Sequence, residues 1–206
     1  VIRDALHRIA ANPAVYNAIQ HAVGAMTIRE KLREQIDPPI KPNMVVADIG
    51  GGTGIYRHIW PGDTHYLNID LDPAKLQGFR TQHPHDAPIR ADGAHIPLAT
   101  NSCDAALVAF VLHHLDHAPA RQLLSECARI LKPNATCLII DPLWTPNRLR
   151  SRLLWALDRG SYPRTPEQLD ALTRELFHTL RITDTFVIHH AYWLCAAQVS
   201  QADMQT

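Results

Sequence analysis

MVVADI (44–49) is a short apolar run, β-branched in part, that ends directly in Gly50-Gly51-Gly52-Thr53-Gly54. Too short for a helix and bounded by glycine, it reads as a strand buried on both faces, as in a parallel sheet. A helix is expected to follow at 55–60. Glycines between a strand and a helix let the backbone take positive φ and approach a ligand with no Cβ in the way. Free N–H groups at the start of the following helix can meet ligand oxygens.

The same alternation runs through the middle of the chain. HYLNID (65–70), the weaker 87–91, DAALVAFV (104–111) and TCLIID (136–141) read as further strands. Helices are expected at 73–82 and 118–131, the latter turning Leu123, Leu124, Ala128 and Leu131 inward, with Pro119 tolerated near its start. Strands alternating with helices imply an α/β fold: a Rossmann-like, doubly wound, mainly parallel sheet. Residues 1–40 read as an N-terminal helical cap. Val15, Ile19, Ala22 and Val23 share one face, as do Ile28, Leu32 and Ile36, before Pro38, Pro39 and Pro42 break the helix. Residues 41–206 form the main domain. Its tail is expected to be helical at 146–158 and 166–178, the second capped by Thr165 with Pro166 at the first helical position. Two apolar runs within TLRITDTFVIHHAYWLCAAQV (179–199) predict an antiparallel pair at the C-terminal edge of the sheet.

Spacing separates the ligands such a glycine loop can hold. A dinucleotide fingerprint needs G-x-G-x-x-G, and from Gly50 its last position is Ile55. A P-loop needs Lys and Ser/Thr after the last glycine, but Gly54 is followed by Ile55 and Tyr56. What remains is D-x-G-x-G-x-G beginning at Asp48. Asp70 ends the second strand, where a carboxylate can accept hydrogen bonds from vicinal ribose hydroxyls; a turn role in Leu71-Asp72-Pro73 is the alternative. Asp92 ends the third strand before Gly93, a position that equally suits a turn. The three acids share the carboxyl ends of successive strands, where open α/β sheets bind ligands.

Asp48-Ile49-Gly50-Gly51-Gly52-Thr53-Gly54 resembles motif I of the class I S-adenosylmethionine-dependent methyltransferases. Ser102-Cys103-Asp104-Ala105 resembles their motif IV, Phe110-Val111-Leu112-His113-His114-Leu115 resembles the V-L-H-H-L stretch after it, and Arg129-Ile130-Leu131-Lys132-Pro133-Asn134 resembles R-x-L-K-P-G-G. Asn134 tolerates the left-handed turn that a glycine makes there. The likeness covers roughly residues 44–141 and is similar to the type-11 methyltransferase group. It implies S-adenosylmethionine as cofactor, S-adenosylhomocysteine as product, and a cofactor site made by Asp48, Gly50, Gly51, Gly52, Gly54, Asp70, Leu71, Asp92, Gly93 and Phe110. In that family an acid at the place of Asp92 resembles the group that binds the adenine amino nitrogen.

The implied reaction is in-line displacement of a methyl group from a sulfonium, in which the protein supplies orientation and a dry pocket. His113 or His114 is the candidate to take a proton from the acceptor, with structural packing as the alternative. Tyr16, Trp144, Tyr162 and Arg164 are candidates for the acceptor pocket, Arg164 as a hold on an anionic group. His113 and His117 could share a metal at helical spacing, but capping by Asp116 accounts for the segment, and no metal is expected.

Lys+Arg is 20 and Asp+Glu is 20, so no basic footprint for nucleic acid exists at the level of the whole chain. Phe110-Val111-Leu112-His113 stands where amino-methylating nucleic-acid enzymes carry [D/N/S]-P-P-[Y/F/W], and no Pro-Cys pair is present for attack on cytosine C5. The expected acceptor is therefore a small molecule, with no nucleic-acid partner. The alternatives are a cofactor-binding module without methyl transfer, or a quinone, lipid-like or protein acceptor. Cys103, Cys127, Cys137 and Cys195 form no CxxC pair and read as reduced buried thiols of a cytoplasmic protein. No apolar run reaches the roughly 18–20 residues of a membrane span.

Overall fold

The computed structural model describes residues 25–36, 39–144, 162–187 and 190–199. In chain order the elements are helix α1 (Ala25–Glu34), strand β1 (Val45–Ile49), a 3-10 turn at Arg57–Ile59, β2 (His65–Asp70), α2 (Pro73–Gln82), β3 (Ala87–Arg90) and β4 (Cys103–Ala109). A second 3-10 turn at Leu112–His114, α3 (His117–Ile130), β5 (Leu131–Pro142), α4 (Pro166–Arg174), β6 (Phe177–Val187) and β7 (His190–Val199) follow. One seven-stranded sheet results, in the order β3-β2-β1-β4-β5-β7-β6. The first five strands pair in parallel, and β7 runs antiparallel to both β5 and β6. The expected antiparallel edge is present, but β7 alone reverses direction; it slots between β5 and β6, which therefore point the same way. Strand order turns back between β1 and β4, the switch point at which such sheets open a crevice.

Period-two alternation gives the central strands β1, β4 and β5 two buried faces. On one face Val46, Tyr66, Leu107, Leu138 and Leu194 pack against Ile28 and Leu32 of α1, Ile59 and Trp60 of the first 3-10 turn and its C-cap, and Phe79 of α2. On the other, Ile49, Ile69, Val108, Ile139 and Trp193 pack against Leu123, Leu124 and Ile130 of α3 and Leu169 and Leu172 of α4.

Two contacts explain why the motif-like segments are spelled as they are. Asp104 accepts the backbone N–H of Val45 at 2.9 Å and the Lys132 ammonium at 2.7 Å, pinning the starts of β1, β4 and β5 together. Arg129 donates to the carbonyls of Ile96 and Leu98 and to Glu126, which in turn accepts the N–H of Ile96, so α3 holds the loop that follows β3. Asn134 takes φ +63°, the left-handed turn expected of it.

Three expectations are corrected in extent. The helix at 55–60 is a single 3-10 turn, because Trp60 precedes Pro61 and is forced to an extended ψ of 151°. The helix from 166 stops at Arg174; Phe177 is drawn into the sheet opposite Val199 and buried there. β5 begins at Leu131 rather than 136, directly from the end of α3. Thr165 caps α4 as expected, in a reciprocal capping box with Gln168. Val15, Ile19, Ala22 and Val23 of the cap, and the helix read at 146–158, lie outside the described residues. No helix among the described residues is long and apolar enough to cross a membrane.

Candidate functional site

A cavity of about 730 Å³ opens at the carboxyl ends of β1, β2, β3 and β4. Its floor is the glycine loop. Gly50 donates to the Ile69 carbonyl at 2.7 Å, and Gly54 to the Gly51 carbonyl at 2.8 Å, which folds the loop back over the ends of β1 and β2. Gly51 admits no side chain: a Cβ there would collide with Asn68 Oδ1 and stand 2.7 Å from the Asp48 carboxyl. Gly50, Gly51 and Gly52 line the cavity, as do Leu71, Gly93 and Phe110. Gly54 does not. Its constraint is packing, since a Cβ would run into the Phe79 ring of α2.

All three acids stand on this wall. Asp70 accepts the N–H of Gly52 at 2.9 Å with one oxygen and that of Asp72 at 2.8 Å with the other. Each carboxylate oxygen keeps a second lone pair for a ligand hydroxyl. Asp92 is exposed and accepts the N–H of Ala94 at 2.9 Å, so the turn role and a place on the wall coexist. Asp48 is only 1% exposed. The Tyr66 hydroxyl donates to its Oδ2, while its Oδ1 accepts no hydrogen bond from any described residue. Burial pushes this carboxyl from an ordinary 3.8 up to about 7; the Tyr66 hydrogen bond pulls the other way, and the charge of Asp70 adds to the rise.

Beyond β4 the chain turns sharply. Phe110 has φ +60°, a strained conformation for a bulky residue, and is held by stacking on Tyr56 at 5.8 Å and an edge contact with Tyr192 at 5.6 Å. The 3-10 turn that follows presents His114 and, just after it, Leu115 to the cavity.

Residues 47–139 contain this whole wall and match a family model described as a methyltransferase domain. The matched span is a little under half of the chain. A ubiquinone/menaquinone biosynthesis C-methyltransferase of Laribacter hongkongensis is 31% identical over 117 residues, 52% of this chain and 47% of the relative. An uncharacterized methyltransferase of Mycobacteroides abscessus is 31% identical over 105 residues, 48% of this chain and 40% of the relative. The chain thus spans about half, or less, of the length of the curated relatives it matches. A geranyl diphosphate C-methyltransferase of Streptomyces coelicolor A3(2), solved with Mg2+, geranyl diphosphate and S-adenosylhomocysteine, shares the fold. It superposes over 85% of this chain and 80% of its own with a TM-score of 0.69, at 15% identity.

Within the matched segment the two histidines part company. His114 faces the cavity, whereas His113 is 2% exposed, off the cavity wall, with Nδ1 2.9 Å from Asp141 Oδ1. Burial raises the Asp141 carboxyl, and the neighbouring His113 opposes that rise. Arg164, expected to grip an anionic acceptor, is also buried. Its guanidinium donates to the carbonyls of Leu112 and Leu115 at 2.5 and 2.7 Å, and the N–H of Tyr162 donates to the His113 carbonyl at 3.1 Å. These bonds fasten the 112–115 turn from behind, so His113 and Arg164 are placed to hold the wall rather than to meet a ligand. Arg164 and the exposed Tyr162 border a second cavity of about 520 Å³ beside Asp116, His117 and Gln168. Trp144 is exposed and lines neither cavity. Tyr16 lies outside the described residues. Asp116 caps α3, accepting the N–H of His117.

Tyr66 and Asn68 stand beneath the loop without having been among the residues expected there. Asn68 donates to the Gly52 carbonyl at 2.9 Å, and Tyr66 to Asp48. A signal existed: in HYLNID the polar Tyr66, Asn68 and Asp70 alternate with the apolar Leu67 and Ile69, so they share one face beneath the loop. Tyr56 and Lys75 also reach the cavity.

Proposed function

We propose that this domain binds S-adenosylmethionine in the 730 Å³ cavity and transfers its methyl group to a small-molecule acceptor. The observation that carries the reading is the convergence of the glycine loop and three acids on one wall, with Asp48 Oδ1 buried there and accepting nothing from any described residue. An orphaned buried acceptor is costly unless a ligand donor completes it. Asp70 would take the ribose hydroxyls, Asp92 the adenine amino group, and Leu71 and Phe110 the faces of the base. When bound, the cofactor supplies an electrophilic sulfonium methyl group. The chain contributes orientation and exclusion of water, with Leu115, Ala118, Pro119 and Leu123 forming an apolar side of the cavity. His114 lines the cavity and would take the proton that the acceptor gives up.

An apolar cavity side and a chain with no net charge favour a small acceptor over nucleic acid. Four free, buried thiols suit a reducing, cytoplasmic setting. Thermal unfolding with and without ligands tests the cofactor reading. A ligand at about 100 times its Kd adds about 2.7 kcal/mol, which for a chain of this size is a shift of roughly 5–10 °C. S-adenosylmethionine and S-adenosylhomocysteine should each produce it and NAD should not. An unmoved midpoint with both sulfur compounds would overturn the proposal.

A further inference from the structure

Beneath the glycine loop, two buried acceptors are unsatisfied side by side. Asp48 and Asn68 are register partners across β1 and β2, and neither Asp48 Oδ1 nor Asn68 Oδ1 accepts a hydrogen bond from any described residue. Both groups crowd the site where a Gly51 side chain would begin. Among the described residues the Asp48 carboxyl has one hydrogen-bond donor, the Tyr66 hydroxyl, which is itself buried. A carboxylate with a single donor, walled from water, holds negative charge poorly. A proton on it, or positive charge arriving in the adjoining cavity, relieves that cost.

We propose that Tyr66, Asp48 and Asn68 form a proton-coupled cradle that makes the site select the positively charged methyl donor over its neutral product. The inference rests on the cofactor reading above. S-adenosylmethionine carries one positive charge more than S-adenosylhomocysteine, on the sulfonium, and the rest of the two molecules is alike. Donor binding shifts Asp48 to its carboxylate and sends a proton to solvent. Methyl transfer makes the sulfur neutral, so the carboxylate recovers a proton from solvent and the hold on the product weakens.

The charged groups around Asp48 leave this role to it. On β2, Asp70 lies close enough to raise its affinity for a proton. On α2, Lys75 approaches Gly52 on the side of Asp70. Arg57 lies over the Tyr66 ring at 5.0 Å and is paired with Asp86 at 2.6 Å. β4, on the other flank of β1, lies in register with it through Ala105–Val108, an apolar stretch, and its Asp104 sits at the far end of β1 on the Val45 N–H.

Titration calorimetry in two buffers of different ionisation enthalpy counts the protons released on binding. At about pH 6, one unit below the midpoint near 7, wild type should release more protons with S-adenosylmethionine than with S-adenosylhomocysteine. Its preference for the donor should fall several-fold between about pH 8 and pH 6. Asp48→Asn should release fewer protons and hold a flat preference; any titration of the ligand's own amino group persists in that variant and subtracts out. Tyr66→Phe removes the Tyr66 hydrogen bond to the carboxylate and should move the break in the wild-type pH profile upward, a readout that survives if Asp48→Asn fails to fold. Equal proton counts for wild type and Asp48→Asn, or a break unmoved in Tyr66→Phe, would overturn the cradle while leaving the cofactor reading intact. Failure of wild type to bind either compound at about pH 8 would overturn both.

Discussion

Asp48→Asn should stabilise the cofactor-free protein, and by an amount that depends on pH. In the unfolded chain the Asp48 carboxyl titrates near its ordinary 3.8, and in the folded protein near 7. The folded state therefore binds this proton more tightly. The group's contribution to stability is complete below pH 3.8 and drains away as pH rises, being gone above about 7. At about 1.4 kcal/mol per pH unit, the interval sets a ceiling of about 4 kcal/mol on the cost of keeping Asp48 ionised in the folded protein. Asparagine has nearly the same shape, still accepts from Tyr66, and offers an N–H to the orphaned Asn68 Oδ1. Urea denaturation of both proteins without cofactor, from about pH 4 to pH 8, isolates the effect, because every other titrating group is common to the pair. The variant's advantage should grow through that range by about 2–4 kcal/mol, equivalent to at least about 4 °C in midpoint for a chain of this size. An advantage of the same size at both ends of the range would refute the reasoning, since a buried carboxyl with a raised pKa cannot give a pH-independent difference.

His113→Ala should cost about 3–5 kcal/mol in chemical denaturation because it removes the imidazole partner of the buried Asp141 carboxyl, whereas His114→Ala should fold normally and show its defect in turnover. Arg164→Lys should lose about 1.5–3 kcal/mol, since an ammonium cannot span the two carbonyls that the guanidinium fork holds; the acceptor KM should rise with it, measured once an acceptor is in hand. Phe110→Gly relieves a strain of about 1–3 kcal/mol and forfeits the contacts with Tyr56 and Tyr192, so calorimetry should find a small net stability change beside a clear loss of S-adenosylmethionine affinity.

What was legible in the sequence was what depends on neighbours in the chain. Strand, glycine loop and terminal acid are set by residues a few positions apart, so Asp48, Gly50–Gly52 and Asp70 could be placed on one wall before any coordinates. Gly54 belongs to the same string, yet its constraint comes from Phe79, 25 residues on, and the string cannot tell a glycine that meets a ligand from one that meets a helix. The histidine pair shows the same limit more sharply. His113 and His114 are adjacent and chemically identical; the partner that divides them is Asp141, 28 residues away. Arg164 reads as an anion hook when its charge is considered alone. Its partners are carbonyls 49 and 52 residues upstream, which no charge pattern reveals.

Tyr66 and Asn68 mark the opposite case, a signal present and not used. A parallel strand buried on both faces is expected to be apolar throughout, so polar residues recurring at period two within one carry a cost that the fold must offset. Here the offset is only partial: Asn68 donates to the loop and Tyr66 to Asp48, but Asn68 Oδ1 and Asp48 Oδ1 stay unsatisfied among the described residues. A hydrophobic face would be cheaper, and Tyr66→Phe with Asn68→Leu should raise the stability of the empty protein if the glycine loop keeps its place. That the strand retains the costlier spelling beneath its ligand loop argues that the face is shaped for the occupied state, in which a donor group completes what the empty fold leaves open.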